Sequence, residues 1–169
     1  MNVLLLLHAI FVSRSLAQRP TEGGFFSFEP EDIVLTHDTP QVRVHYSIEG
    51  PNQTRLTDSN GSGTPDFVEQ VGQTAEEVLS FYESLGFLPP ITEEEMGLEL
   101  GGSPAFDFYL VDFGGSADGM FGIDSCDSCR CSGYMVIEND FQGYGYPSIA
   151  EAISVLVSHE LFHAVQAAY

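Results

Sequence analysis

The segment 159–163, which reads H-E-L-F-H, constrains this 169-residue chain more than any other part of its sequence. Helix residues four apart lie on one face, so His159 and His163 can direct ring nitrogens at one metal ion. Glu160 projects nearby, where its carboxylate can take a proton from a metal-bound water. The spacing therefore predicts a zinc site with two histidine ligands and Glu160 as general base. The alternative interpretation is that His159 and His163 are ordinary surface histidines that bind no metal.

Signals before this motif predict that it lies on a helix. Ser148 and Glu151 have the S-x-x-E spacing of a capping box, and Pro147 stands just before them. A run of apolar residues follows, which predicts a largely buried helix face: Ile153, Val155, Leu156 and Val157. The metal chemistry requires this helical context.

The charge balance excludes some classes of partner. Asp and Glu total 25 against 5 Arg and no Lys, which gives a net charge of −20. Nucleic acid and anionic membrane surfaces repel such a chain. The acidity fits a soluble secreted protein, a salty environment or the binding of hard cations, and composition does not choose among them.

The N-terminus predicts export. Residues 3–12 form an apolar run too short to span a bilayer, and Ser15-Leu16-Ala17 fits a signal-peptidase site. We therefore assign residues 1–17 to a secretory signal peptide and expect a secreted protein without stable membrane association after its removal. A buried N-terminal strand or helix is the alternative. Residues 18–40, rich in Pro, Gly and acids, are expected to form an irregular lead-in or a propeptide-like segment.

Three cysteines lie close together at Cys126, Cys129 and Cys131. In an exported protein a disulfide is the default, and Cys126 can pair with either of the other two. The alternative is a C-x-x-C-x-C metal site, for which no fourth ligand is obvious nearby.

The segment 58–69 predicts a calcium loop. Counted from Asp58, oxygen-bearing side chains fall at positions 1, 3, 5, 9 and 12, a carbonyl is available at position 7, and Gly63 takes position 6. The candidate ligands are Asp58, Asn60, Ser62, Thr64, Asp66 and Glu69. Nothing before Asp58 predicts a helix, so the likeness is to half an EF-hand. The alternative is a turn that caps the following helix.

Hydrophobic patterns predict the remaining elements. Strands are expected at 42–48, 106–112 and 133–137, and a helix is expected from Asp66 with an apolar stripe that reaches Leu85. This order predicts an α+β domain over residues 41–169, with a mixed sheet packed on helices.

Some finer expectations follow from the same patterns. The strand segment 134–137 is expected to be a sheet edge that pairs with an extended substrate. Residues 114–122 are expected to be irregular because they are glycine-rich. His45 is expected to be a surface residue, and the acids at 93–95 are expected to be solvated.

The motif and its context resemble known proteins. Residues 159–169 resemble the active-site helix of zincins, and H-E-L-F-H-A-V resembles that of the thermolysin-like gluzincins. The segments over 42–169 resemble a family of secreted zinc metalloproteases of the myxobacterial type. The resemblance implies a zincin-like fold, an active-site helix at the C-terminal end, and a zinc-dependent peptidase that acts on proteins or peptides.

The sequence differs from the motif of the metzincin subclass of zincins. Metzincins continue as H-E-x-x-H-x-x-G-x-x-H, but Gln166 and Tyr169 occupy the glycine and third-histidine positions. A gluzincin-type site takes its third ligand, a Glu or Asp, from a following helix, so we expect that ligand beyond residue 169. Residues 1–169 alone are therefore expected to be an inactive N-terminal portion of the peptidase. The alternative function is a non-catalytic, calcium-binding zincin-like module.

Overall fold

A computed structural model describes Arg19, Ile33 and residues 35–169. The predicted signal peptide and most of the predicted lead-in lie outside the described residues. The described part confirms the α+β class, with strands and helices in this order: β1 Leu35–Asp38, β2 Val42–Tyr46, α1 Asp66–Ser84, β3 Phe106–Val111, β4 Gly119–Asp127, β5 Arg130–Glu138 and α2 Ile149–Gln166.

The strands form one mixed sheet in the order β1-β2-β3-β5-β4. The three central strands β2, β3 and β5 are parallel, while β1 and β4 pair antiparallel at the two edges. The expectation that 134–137 forms an edge is wrong, because this segment lies in β5 between β3 and β4. The edge is β4, which begins at Gly119 inside the segment expected to be irregular. A tight hairpin at Ser128 (φ 58°) folds β4 back onto β5.

The first strand lies at the end of the expected irregular lead-in. Leu35–Asp38 pairs with β2, with Leu35 opposite Tyr46 and Asp38 opposite Arg43. The Pro-, Gly- and acid-rich composition of residues 18–40 predicts irregular structure on average, but these four residues gain order by pairing with a neighbouring strand. Strand propensity depends strongly on such context.

Both helices pack on one face of the sheet and form the main core. The core includes alternate residues of the central strands, such as Val44, Phe108 and Ile137, which point at the helices. Two residues expected to be buried are exposed: Val155 lies on the outer side of α2, and Leu85 follows the last turn of α1. Neither helix of the described chain combines the length and apolar character that crossing a bilayer requires.

The opposite face of the sheet, which we call the back face, is partly polar. A small apolar cluster includes Tyr109, Tyr134 and Val136. The expectation that His45 is a surface residue is wrong: it is buried here, with Nε2 2.7 Å from Asp107 Oδ1 and its ring stacked on Tyr109. The polar side of β2 is therefore covered, which period-two alternation in a strand does not reveal.

Gly133 generates a prediction about the β4–β5 pairing. A Cβ at Gly133 would lie 2.1 Å from the Gly122 carbonyl oxygen and 2.6 Å from Phe121 Cε2, whereas one at exposed Gly145 would meet nothing within 4 Å. Because backbone cannot yield as a flexible side chain does, we expect Gly133→Ala to lower the free energy of unfolding by about 2 kcal/mol or more. Urea unfolding monitored by circular dichroism measures this. Gly145→Ala, the control, should stay within about 0.5 kcal/mol of the parent protein. Equal stability of the two variants would contradict the described strand register.

Candidate metal centre

Helix α2 is held at its start and on both sides of the H-E-x-x-H turn. Ser148 Oγ accepts a hydrogen bond from the Glu151 amide at 3.1 Å, as the capping-box spacing predicts. Just before the motif, Tyr82 of α1 donates its hydroxyl to the Ser158 carbonyl at 2.8 Å. After it, the Cys131 amide of β5 donates to the carbonyl of Ala167 at 2.8 Å. The motif is thus fixed to both its helical neighbour and the sheet.

The two histidines of the motif converge. Nε2 of His159 and Nε2 of His163 lie 3.3 Å apart, and the two rings are nearly perpendicular at 82°. Two nitrogens bound to tetrahedral zinc at 2.0–2.1 Å lie about 3.3–3.4 Å apart. The pair is therefore spaced as two ligands of one such ion. An N–H···N hydrogen bond between the rings is the other interaction this distance allows.

Gln166 supports one of the histidines. Its Oε1 lies 3.2 Å from Nδ1 of His163. An amide oxygen only accepts hydrogen bonds, so with this amide orientation Nδ1 carries the proton and Nε2 keeps its lone pair free. A partner of this kind fixes the tautomer and the orientation of a metal-binding imidazole.

Glu160 lies between α2 and β4. Its side chain is only 11% exposed, and its Oε1 is 4.0 Å from Nε2 of His159. Burial raises the pKa of this carboxyl above its ordinary value; attraction to His159 and His163 and a hydrogen bond from the Phe121 amide oppose that rise, and Asp118 adds to it. The carboxyl is thus beside the histidine pair, in a partly dry environment that favours its protonated form more than water does.

The edge strand β4 borders this site. Phe121, whose backbone lies near the Glu160 carboxyl, is the third residue of β4 and pairs with Met135 of β5. Among the described strands, β4 has no partner on its outer side. An unpaired strand edge offers amide and carbonyl groups to a further extended chain.

The described residues bring together two candidate zinc ligands, His159 and His163, and no third. No group of three or more His, Cys, Asp or Glu side chains within Arg19, Ile33 and residues 35–169 could hold a metal ion. His45 is on the back face, away from the helices, and is bonded to Asp107. Catalytic zinc sites usually have three protein ligands and one open position.

The cysteines form one disulfide. Cys126 of β4 and Cys131 of β5 are directly opposite in the strand register and are joined, whereas Cys129 is free and exposed. Of the two pairings left open by the sequence, this is the one in the structure. Because two of the three sulfurs are consumed, the described cysteines do not form a C-x-x-C-x-C metal site.

The predicted calcium loop brings several of its oxygen-bearing groups together, although its three carboxylates, Asp58, Asp66 and Glu69, do not form a group that could hold a metal ion. Glu69 accepts hydrogen bonds from the Asn60 amide at 2.8 Å and from the Ser62 hydroxyl at 2.6 Å. The same hydroxyl lies 3.2 Å from the carbonyl oxygen of Thr64. Asp58 accepts from the backbone amides of Gly61, Ser62 and Gly63, which curls the loop around its carboxylate.

Asp66 is the exception in this loop. Both of its carboxylate oxygens accept hydrogen bonds from Ser59, and these bonds lower the pKa of the Asp66 carboxyl. Position 9 of such loops often binds calcium through a water, so this arrangement is compatible with a site. Helix α1 begins after Pro65 with no side-chain cap, which argues against the alternative that the loop serves to cap the helix.

Comparison with other proteins identifies no relative. Neither a protein-family model, nor a curated protein, nor a solved structure matches the chain. The interpretation of the site therefore depends on the geometry of its own residues.

Sequence reasoning did not identify two groups beside the metal centre. Gln166 is three residues after His163, so the helical period places both on one face, and this signal was available from the spacing. The amide of Phe121 was not detectable, because only the long-range β4–β5 pairing brings it to Glu160.

Proposed function

We propose that this protein is a secreted zinc-dependent metallopeptidase with a zincin-like fold. His159 and His163 are its zinc ligands, and Glu160 is its general base. The observation that carries the proposal is the 3.3 Å separation of the two Nε2 atoms, which matches two adjacent vertices of a tetrahedral zinc site. A sheet edge next to the same helix provides a place for a peptide substrate.

The residues present fit zinc in three respects. Two neutral imidazole nitrogens are ligands that zinc prefers. Gln166 holds one of them in the required tautomer, and Glu160 Oε1 lies 4.0 Å from Nε2 of His159, close to the pair but outside ligand distance of it. Zinc, when bound, lowers the pKa of a water and polarises a carbonyl. Glu160 would be the residue that accepts a proton, at its carboxylate. The proposal requires a third protein ligand that the described residues do not place beside the pair.

The substrate of the proposed peptidase binds as an added strand. The outer side of β4 lies next to Glu160, and an extended peptide can hydrogen-bond there through its backbone, whatever its side chains. The protein's net charge of −20 disfavours nucleic acid as a partner. A protein or peptide is therefore the proposed substrate class.

Two observations support the proposal that the protein is secreted. Residues 1–17 have the pattern of a signal peptide, and Cys126 and Cys131 form a disulfide of the kind that persists in oxidising compartments. Neither observation depends on the metal centre.

The activity proposal is tested by separating metal binding from chemistry. In the full-length secreted protein, His163→Ala should lose bound zinc and hydrolysis together. Glu160→Gln should keep the zinc and lower casein hydrolysis at least roughly 100-fold, since general-base catalysis contributes about 10²–10⁴-fold. Elemental analysis measures the zinc, and release of labelled peptides measures the hydrolysis.

His37→Ala is the control for this experiment. It removes a histidine of β1, on another edge of the sheet, and should change neither zinc content nor rate. Unchanged hydrolysis by the Glu160→Gln protein would show that the proposed base is wrong. Unchanged zinc in His163→Ala would show that the proposed metal site is wrong.

The loop contacts favour a second candidate function, a calcium-binding module of zincin-like fold that does not cut peptides. In the structure, side chains of Asn60, Ser62 and Glu69 and the carbonyl of Thr64 are already linked to one another. These groups, with Asp58 and Asp66, fit the hard-oxygen ligand set of calcium. A calcium ion here would hold the loop against the start of α1. The two functions exclude each other, but a structural calcium site in this loop is compatible with the peptidase proposal.

Thermal unfolding tests the calcium site. Extracellular sites of this type have dissociation constants of about 10⁻⁴–10⁻³ M, so about 10 mM calcium should raise the Tm by roughly 4–8 °C. Glu69→Ala should abolish this rise because it removes the bidentate ligand. Glu77→Gln, an exposed acid on the same helix, is the matched control and should keep it. An equal calcium response in both variants, or an equal response to magnesium in the parent protein, would contradict a calcium site at this loop.

A further inference from the structure

Arg19 is buried on the back face of the sheet, far in sequence from every residue it contacts. Its side chain is 2% exposed. The carboxylates around its guanidinium come from three separate parts of the chain: the 86–104 connection, β3 and β4. The expectation that the acids at 93–95 are solvated is wrong for Glu93, which is 1% exposed and belongs to this cluster.

Three carboxylates surround the guanidinium, and we call them the acidic pocket: Glu93, Asp107 and Asp124. Nε and Nη2 of Arg19 donate to the two oxygens of Asp124 at 3.2 and 2.6 Å, which is the forked geometry that arginine forms with carboxylates. Nη1 donates to Asp107 at 2.5 Å, and Nη2 lies 3.3 Å from Oε2 of Glu93. A lysine ammonium cannot make this set of contacts, because it is a point charge without the planar fork.

Aromatic rings complete the pocket. The guanidinium carbon lies 5.1 Å from the ring centre of Tyr134 and 5.8 Å from that of Tyr109, and Nη1 also donates to the Tyr109 hydroxyl at 3.1 Å. Stacking on tyrosine rings favours a guanidinium over other cations of similar charge. Burial by itself would lower the pKa of Arg19, but its hydrogen bond to Asp124 and attraction to Tyr109 and the acids reverse this and raise that pKa.

The backbone also fits the pocket closely. The Gly101 amide donates to Glu93 Oε1 at 2.9 Å, and a Cβ on Gly101 would lie 1.8 Å from Asp107 Oδ2. Only glycine therefore lets this loop approach the carboxylates. Oε2 of Glu93 is buried and has no hydrogen-bond partner among the described residues, so the pocket holds more acceptor capacity than Arg19 uses in hydrogen bonds.

The charges make the pocket dependent on a cation. Three nine-tenths-buried carboxylates face one arginine, with His45 bonded to the far side of Asp107. Without the arginine, these acids would be left buried and uncompensated, which is strongly unfavourable. Burial already raises the pKa of Asp124, and the bond from Arg19 opposes that rise.

We propose that the acidic pocket is a guanidinium-binding site whose occupant is Arg19, and that it anchors the N-terminus of the mature chain to the back face of the sheet. Cleavage after Ala17 would make Arg19 the second residue of the secreted protein. Arg19 lies on the face opposite α2, away from the candidate metal centre, and its ionic contacts hold it to the folded domain. Arg19 is therefore a structural part of the domain rather than part of a releasable propeptide.

Chemical rescue tests the site. Arg19→Ala should lower the Tm of the secreted protein by roughly 10 °C, because it strands buried carboxylates. Methylguanidinium chloride at about 20 mM should recover part of this loss in Arg19→Ala but not change the parent protein. Arg130→Ala, at an exposed arginine in the β4–β5 hairpin, is the matched control and should show neither effect. A Tm of Arg19→Ala within 2 °C of the parent protein, or no rescue, would overturn the proposal.

Two further measurements keep the proposal testable if Arg19→Ala does not fold. N-terminal sequencing of the secreted protein should begin at or before Arg19; a stable mature chain that begins later would overturn the anchor. In a double-mutant cycle, Arg19→Lys and Asp124→Asn should be coupled, and strictly additive Tm changes would overturn the contact. None of these readouts involves zinc or hydrolysis, so they are independent of the peptidase proposal.

Discussion

The packing of α2 across the β4–β5 hairpin is the contact on which the rest of the site depends. The helix supplies His159, Glu160 and His163, but the hairpin supplies the backbone of Phe121 near Glu160 and the amide that binds the Ala167 carbonyl. The spacing of glutamate from histidines is thus set by two elements and not by the helix alone. The disulfide between Cys126 and Cys131 closes the same hairpin near its turn. The close pairing of the two hairpin strands leaves no room for a side chain at Gly133, and the Tyr134 ring covers Gly122.

The sheet separates two kinds of chemistry. On the helix side, apolar residues of β2, β3 and β5 meet α1 and α2 in a dry core that stabilises the domain through buried area. On the back face, a network of carboxylates, tyrosines and arginine replaces much of that apolar packing. A buried ionic network of this kind contributes less to stability than an apolar core of equal size, but losing one partner is costly. Replacing a single charged group on the back face is therefore expected to destabilise the protein, because its buried partners would lose their counter-charge.

Local sequence patterns predicted the elements whose residues are close in sequence. The capping box at Ser148 and the apolar stripe after Asp66 placed both helices, and the runs at 106–112 and 133–137 placed two central strands. The calcium-like spacing at Asp58–Glu69 was also local, and the structure brings several of those groups together. Periodicity carries this information because it reports which faces are buried within a single element.

Features that depend on distant residues were not predictable. The edge position of β4 follows from pairing order, and glycines there indicated irregular structure where they in fact permit close strand approach. Glu93 was assigned to solvent because it lies among acids, and its partner Arg19 is separated from it by the whole first half of the domain. His45 was assigned to the surface for the same reason, since its partners Asp107 and Tyr109 are distant in the sequence. One-dimensional patterns do not show what covers the second face of a sheet.

X-ray absorption at the zinc edge of the loaded protein tests the central claim most directly, since it reports the atoms bound to the metal. Zinc held by His159 and His163 should show nitrogen at about 2.0–2.1 Å, with the outer-shell scattering of two imidazoles that falls to one in His163→Ala. Sulfur at about 2.3 Å, as from Cys129, or a shell of oxygen alone, would contradict a zinc site on this helix.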